Sequence, residues 1–114
     1  MNSLELAKYY FELSNNSDFE EITKLFDERS TFRSAKGELF LGVDDIMAMQ
    51  RIHHGLFIKP NWIVNKVSES KPGVIRFDFD FSGETHSGDV VEYSGIEDVV
   101  IYKGKIQHIQ VERI

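Results

Sequence analysis

The segment "VIRFDFDFSGE", residues 74–84, constrains the fold more than any other. Ile75, Phe77, Phe79 and Phe81 alternate with Arg76, Asp78 and Asp80. Successive side chains of a strand point to opposite faces, so a period of two describes a strand with one wet face and one buried face. Such a strand belongs to an antiparallel sheet covered on one side only. Other parts of the chain must cover the aromatic face, and the sequence has nine Phe to bury.

The covering elements come first. Asn2 and Glu5 predict a capping pair ahead of "LELAKYYFELS", with Leu6, Tyr10 and Leu13 on one stripe and Leu4, Ala7 and Phe11 beside it. "NNSD" ends that helix. Ser17 and Glu20 predict a second capping box, opening a short helix over "DFEEITKLF" that presents Phe19, Ile22 and Phe26. "STFRSAKGELFLG" reads as two short strands about a turn at Lys36-Gly37. "VDDIMAMQRIHHGLF" is a third helix with Ile46, Met49, His53 and Phe57 on its apolar stripe. Asp44 and Asp45 lie at its start, where the helix dipole favours them, and Gly55 and Pro60 mark its end.

The remainder is strand: "NWIVNKVSE", a turn at Lys71-Pro72-Gly73, the Phe strand, a loop at "THSGD", and a closing hairpin, "SGIEDVVIYKGKIQHIQVER". No repeat or linker interrupts the chain, and 114 residues suffice for one domain over 1–114 with one core. Helices followed by strands predict an α+β fold. The expected architecture is a cone-shaped curved antiparallel sheet packed against three helices of the N-terminal half. The apolar face of the Phe strand lines the cone.

In the closing hairpin Glu97 and Asp98 are adjacent, so they point to opposite faces. A two-residue loop at Lys103-Gly104 sets Ile101 against Ile106 and turns Asp98 inward. A three-residue loop, Tyr102-Lys103-Gly104, sets Ile101 against Lys105 and turns Glu97 inward, opposite Ile109. Two-residue loops prefer Asn, Asp or Gly where Lys103 stands, whereas the three-residue loop needs one left-handed residue, at Gly104. The expectation is therefore the three-residue loop, with Glu97 inside and Asp98 outside against His108.

These segments resemble a known group. "AKYYFELSNNSDFEEITKLF", the strand at "STF", "LGVDDIMAM" and "GIEDVVIYKGKI" are similar to SnoaL-like proteins of the nuclear transport factor 2-like superfamily, related to ketosteroid isomerase and scytalone dehydratase. The resemblance implies a cystatin-like α+β barrel, usually dimeric, with a pocket between sheet and helices. It places Tyr10 where ketosteroid isomerases have an oxyanion-hole tyrosine, and Glu97 where they have a protonated acid. The position of their general base falls near Ser34, which cannot abstract a proton from carbon.

Each candidate also has a plainer reading. Glu97 among apolar neighbours has its charged form disfavoured and can act as a neutral donor; it can equally hold the barrel through Tyr10 or Arg113. Tyr10 can be a core residue with one partner. His53 can be a base or a satisfied core histidine. His54 lies ~100° around the helix from it, so the two do not chelate one metal. Asp78 and Asp80 share a solvated outer face, and Arg33 and Arg113 suit a carboxylate at the pocket rim.

The expected site is thus Tyr10, His53 and Glu97 as catalytic candidates. Phe77, Phe79, Phe81, Val99, Ile109, Val111 and Arg113 form the expected pocket. The ligand is a small hydrophobic or amphipathic molecule, and no cofactor or metal is implied. Scattered Lys and Arg at a net charge of −6 disfavour nucleic acid. No stretch approaches the ~18 apolar residues of a membrane span, and the absence of Cys and of a signal-like start suggests a cytoplasmic protein. The functional expectation is a small-molecule binder or a cofactor-free isomerase, dehydratase or cyclase. The rival is a non-catalytic binding or interaction module. In either case a homodimer is expected through the outer sheet face at Asp98, Val100, Tyr102 and His108.

Overall fold

The computed structural model describes residues 1–114. Its elements are α1 (Ser3–Asn15), α2 (Phe19–Thr23), β1 (Thr31–Arg33), β2 (Leu39–Leu41), α3 (Gly42–Gly55), β3 (Asn61–Lys71), β4 (Val74–Glu84), β5 (Val90–Tyr102) and β6 (Lys105–Arg113). The six strands form one curved sheet in the order β2-β1-β6-β5-β4-β3, and the three helices cover one face. The expected α+β architecture is present.

Local chemistry accounts for most boundaries. Asn2 and Glu5 form the capping box of α1, with reciprocal bonds of 2.8 and 3.0 Å. The expected box at Ser17 and Glu20 does not form. Asp18 caps α2 instead, accepting from the Glu21 N–H, because the Ser17 hydroxyl is bonded to His54 Nδ1 at 2.9 Å. Pro72 and Gly73 turn β3 into β4, and the Phe strand occupies β4 as expected. Phe77, Phe79 and Phe81 are buried, Arg76 and Asp80 are exposed, and Asp78 is half-buried.

The β5–β6 hairpin differs from both registers considered. Its loop is the two residues Lys103 and Gly104, both left-handed at φ 50° and 75°, and Tyr102 pairs with Lys105. Ile101 then pairs with Ile106, but a bulge intervenes before Val100 pairs with His108. The extra residue, Gln107, restores the other face: Val99 meets Ile109, Asp98 meets Gln110, and Glu97 meets Val111. Glu97 is inside, although the expected three-residue loop is absent. Asp98 is outside, bonded to Arg76 by two contacts of 2.9 and 3.1 Å.

The bulge is held from outside the hairpin. The Ile106 N–H donates to the Leu25 carbonyl, and Ser30 Oγ donates to the Ile106 carbonyl. Gln107 Nε2 donates to Asp27. β1 also pairs in parallel with β6, Phe32 against Ile109. That pairing carries the 34–38 turn to the open end of the space between sheet and helices.

Candidate functional site

The core fills only the closed end of that space. Phe77, Val99 and Ile109 pack under Phe11, Ile22 and Phe26 in one continuous cluster, while Phe81 packs with Phe57 and Phe79. Toward the open end lies a cavity of about 390 Å³. Of the expected pocket residues, Phe79, Val111 and Arg113 line it, while Phe77, Phe81, Val99 and Ile109 do not. Phe77, Val99 and Ile109 are core beneath the helices, and Phe81 is covered by Phe57, Trp62 and Tyr93.

All three catalytic candidates, Tyr10, His53 and Glu97, reach this one cavity from α1, α3 and β5. Ser34 lines it too, from the β1–β2 turn. Glu97 is 6% exposed and flanked by Phe77 and Val111 across the sheet. It makes no ion pair, and its Oε2 has no hydrogen-bond partner. Burial pushes its carboxyl up to about 8, with Asp98 adding to the rise. Arg113 does not neutralise it, because the guanidinium lies over the Tyr93 ring at 3.9 Å. Gly95 shapes the adjoining wall. A Cβ there would stand 2.7 Å from the Phe79 ring and 2.8 Å from the Glu112 carbonyl.

Tyr10 is not bonded to Glu97, contrary to the expected partnership. Its hydroxyl accepts from Gln50 Nε2 at 2.8 Å. Burial holds the phenol above its ordinary range, and the nearby Glu97 adds to this. His53 and His54 exchange the roles that the helical stripe suggested. His54 is the satisfied interior histidine, buried and held by Ser17, with burial pushing it down to about 4. His53 is half-buried at the cavity wall between Phe57, Trp62 and Phe81, at ring distances of 5.6–6.1 Å. Burial lowers its pKa, with Arg113 and Lys36 contributing, so it is neutral near pH 7 and its ring can accept a proton.

Gln50, Ser14 and Trp62 also line the cavity and were not foreseen. Gln50 had a readable signal: a polar amide one turn from Ile46 and His54, on the buried stripe of α3. At the rim Arg33 is absent from the lining, and Lys36 and Glu38 of the same hairpin are present. No group of three or more His, Asp or Glu side chains is placed to hold a metal ion. No helix is long and apolar enough to cross a membrane.

A curved six-stranded sheet, three covering helices and an end cavity with one inward acid define the comparison with solved structures. A nuclear transport factor 2-like protein of unknown function from Exiguobacterium sp. 255-15 superimposes with a TM-score of 0.85 at 17% identity, covering 96% of this chain and 98% of that one. The chain has the nuclear transport factor 2-like fold. An uncharacterized cystatin fold protein from Novosphingobium aromaticivorans matches at TM-score 0.88 and 10% identity, over 99% of both chains. A candidate SnoaL-like polyketide cyclase from Jannaschia sp. CCS1 matches at 0.87 and 10%, over 97% of this chain and 84% of its own. No protein-family model and no curated protein matches the sequence. At these identities the likeness is one of fold, and a shared fold does not by itself assign a function.

Proposed function

We propose that the cavity binds a small, mostly apolar molecule bearing a carbonyl-type oxygen. The observation that carries this reading is Glu97: a buried carboxyl on an aromatic wall with no cation and a bare Oε2. Near neutral pH it holds its proton, and a neutral carboxylic acid donates a hydrogen bond to a ligand oxygen. The wall around it is largely apolar, which suits the body of such a ligand.

If a reaction follows, His53 is the candidate base. It would take a proton from the carbon next to the carbonyl while Glu97 steadies the oxygen that becomes negative, and return the proton at another position. That is cofactor-free isomerase chemistry; the same enolate would expel a β-hydroxyl as water in a dehydratase, or attack a second carbonyl of the ligand in a cyclase. Ser34, near which the resemblance puts the general base, favours the second reading, a non-catalytic binder working as a homodimer, because it supplies no base.

2-Tetralone in D2O tests both. Binding should be seen as shifts of the cavity amides by NMR, kept in Glu97→Gln and lost in Glu97→Ala. The catalytic reading predicts α-proton exchange above the buffer rate that disappears in His53→Gln. Exchange at the buffer rate with binding retained selects the non-catalytic reading, and absence of binding removes 2-tetralone-like carbonyl compounds as ligands.

A further inference from the structure

Gln50 is the cavity side chain that the binding reading leaves unused. It is 4% exposed, on the covered face of α3 between Met47 and His54. Its Nε2 is committed to the Tyr10 hydroxyl at 2.8 Å. Its Oε1 is buried with no partner, and Gln50 lines the cavity. Glu97 Oε2 is the other buried side-chain atom without a partner in the molecule, and it lines the same cavity. The two come from opposite walls, α3 and β5, and Tyr10 adjoins both: it is bonded to Gln50 and raised in pKa by Glu97.

A buried polar atom is normally satisfied, and one left without a partner on a residue that lines a cavity can take one, water or ligand, from what enters it. An amide oxygen can only accept, so it requires a donor. A simple ketone brings none. It can still bind through Glu97, but more weakly than a ligand of the same shape that also brings the missing N–H or O–H.

We infer that Gln50 sets the ligand class. The cavity selects molecules carrying a donor for Gln50 Oε1 together with an acceptor for Glu97, as lactams, carboxamides and hydroxy-ketones do. This rests on the binding reading above and narrows it. The amide turned the other way would aim N–H groups at the cavity and favour a second acceptor, so the two orientations predict opposite preferences.

2-Quinolone and coumarin separate them. The two share one shape, and the ring N–H of the first is a ring oxygen in the second. Naphthalene has neither polar group. Affinities for all three are measured by NMR titration of the intact chain at pH 7, with Gln50→Met as the variant. The expected result is 2-quinolone at least about tenfold tighter than coumarin. In Gln50→Met the two should come within about twofold, with naphthalene, which uses neither polar group, as the reference affinity in each chain. Coumarin binding as tightly as 2-quinolone, or more tightly, overturns the inference and leaves the binding reading standing. A folded Gln50→Met that keeps the full preference overturns the assignment to Gln50. Failure of all three to bind overturns the inference together with the reading beneath it. Should Gln50→Met not fold, the comparison of 2-quinolone with coumarin in the native chain still decides.

Discussion

Glu97 enters the interior without a cation, and that has consequences for stability as well as binding. Its carboxyl ionises near 4.5 when unfolded and about 8 when folded. Between those values the folded chain keeps a proton that the unfolded chain has released, so raising the pH through this window lowers stability. His54 acts in the opposite sense. Its pKa falls from 6.5 to about 4 on folding, so stability is gained as the pH rises through that range. The two oppose each other up to pH 6.5, and Glu97 alone operates from there to 8. The melting temperature should therefore fall between pH 6.5 and 8. Glu97→Gln should abolish that fall and be near neutral at pH 5. At pH 9 it should stabilise by an amount set by about 1.4 kcal/mol per pH unit of the window. Melting curves of both chains across this range check the sign. A fall that persists in Glu97→Gln assigns it elsewhere.

At the scale of elements, the β5–β6 hairpin shows what local sequence could convey. The face of Glu97 was legible, but the route to it was not. Lys103 looked unsuited to a left-handed position, yet it adopts φ 50°, and the bulge at Gln107 supplies the offset that a third loop residue would have given. The bonds that fix the bulge come from Leu25, Asp27 and Ser30, some 80 residues earlier, and no reading of the hairpin alone contains them. One local sign was available. Ile106 and Ile109 are both fully buried although they lie three apart in a strand, which a period of two does not allow. Lys103→Asn should relieve the left-handed strain and stabilise by up to about 1 kcal/mol in urea unfolding. An unchanged midpoint would deny that strain. Gly95→Ala should do the reverse, because the added Cβ meets the Phe79 ring and a backbone carbonyl. A loss of roughly 1–3 kcal/mol is expected, with weakened binding at the wall beside Glu97.

At the scale of the molecule, alternation in the Phe strand and the order of helices and strands made the sheet and its covered face readable. How far the helices reach along the sheet was not readable, and it is this that divides Phe79 in the wall from Phe77 in the core. The same limit exchanged the histidines. A stripe drawn at helical spacing favoured His53, whereas the Ser17 hydroxyl, in the turn between α1 and α2, holds His54 inside. The outer sheet face carries exposed Ile63, Val90 and Tyr102 among charged neighbours. We propose it as the homodimer surface. Sedimentation at micromolar concentration should give twice the 13.2 kDa chain mass, with at least ~1,000 Å² buried in total. A clean monomer would remove that surface from the account.

The central claim is that Glu97 stands in the cavity as a neutral acid. It is tested most directly by following the Glu97 side-chain carboxyl carbon by NMR from pH 4 to 10, alone and with 2-tetralone. The predicted midpoint is about 8 in the free protein. With ligand it moves higher, because a ligand that accepts the Glu97 proton in a hydrogen bond favours the protonated form. A midpoint at or below the ordinary 4.5, unmoved by ligand, would contradict the account.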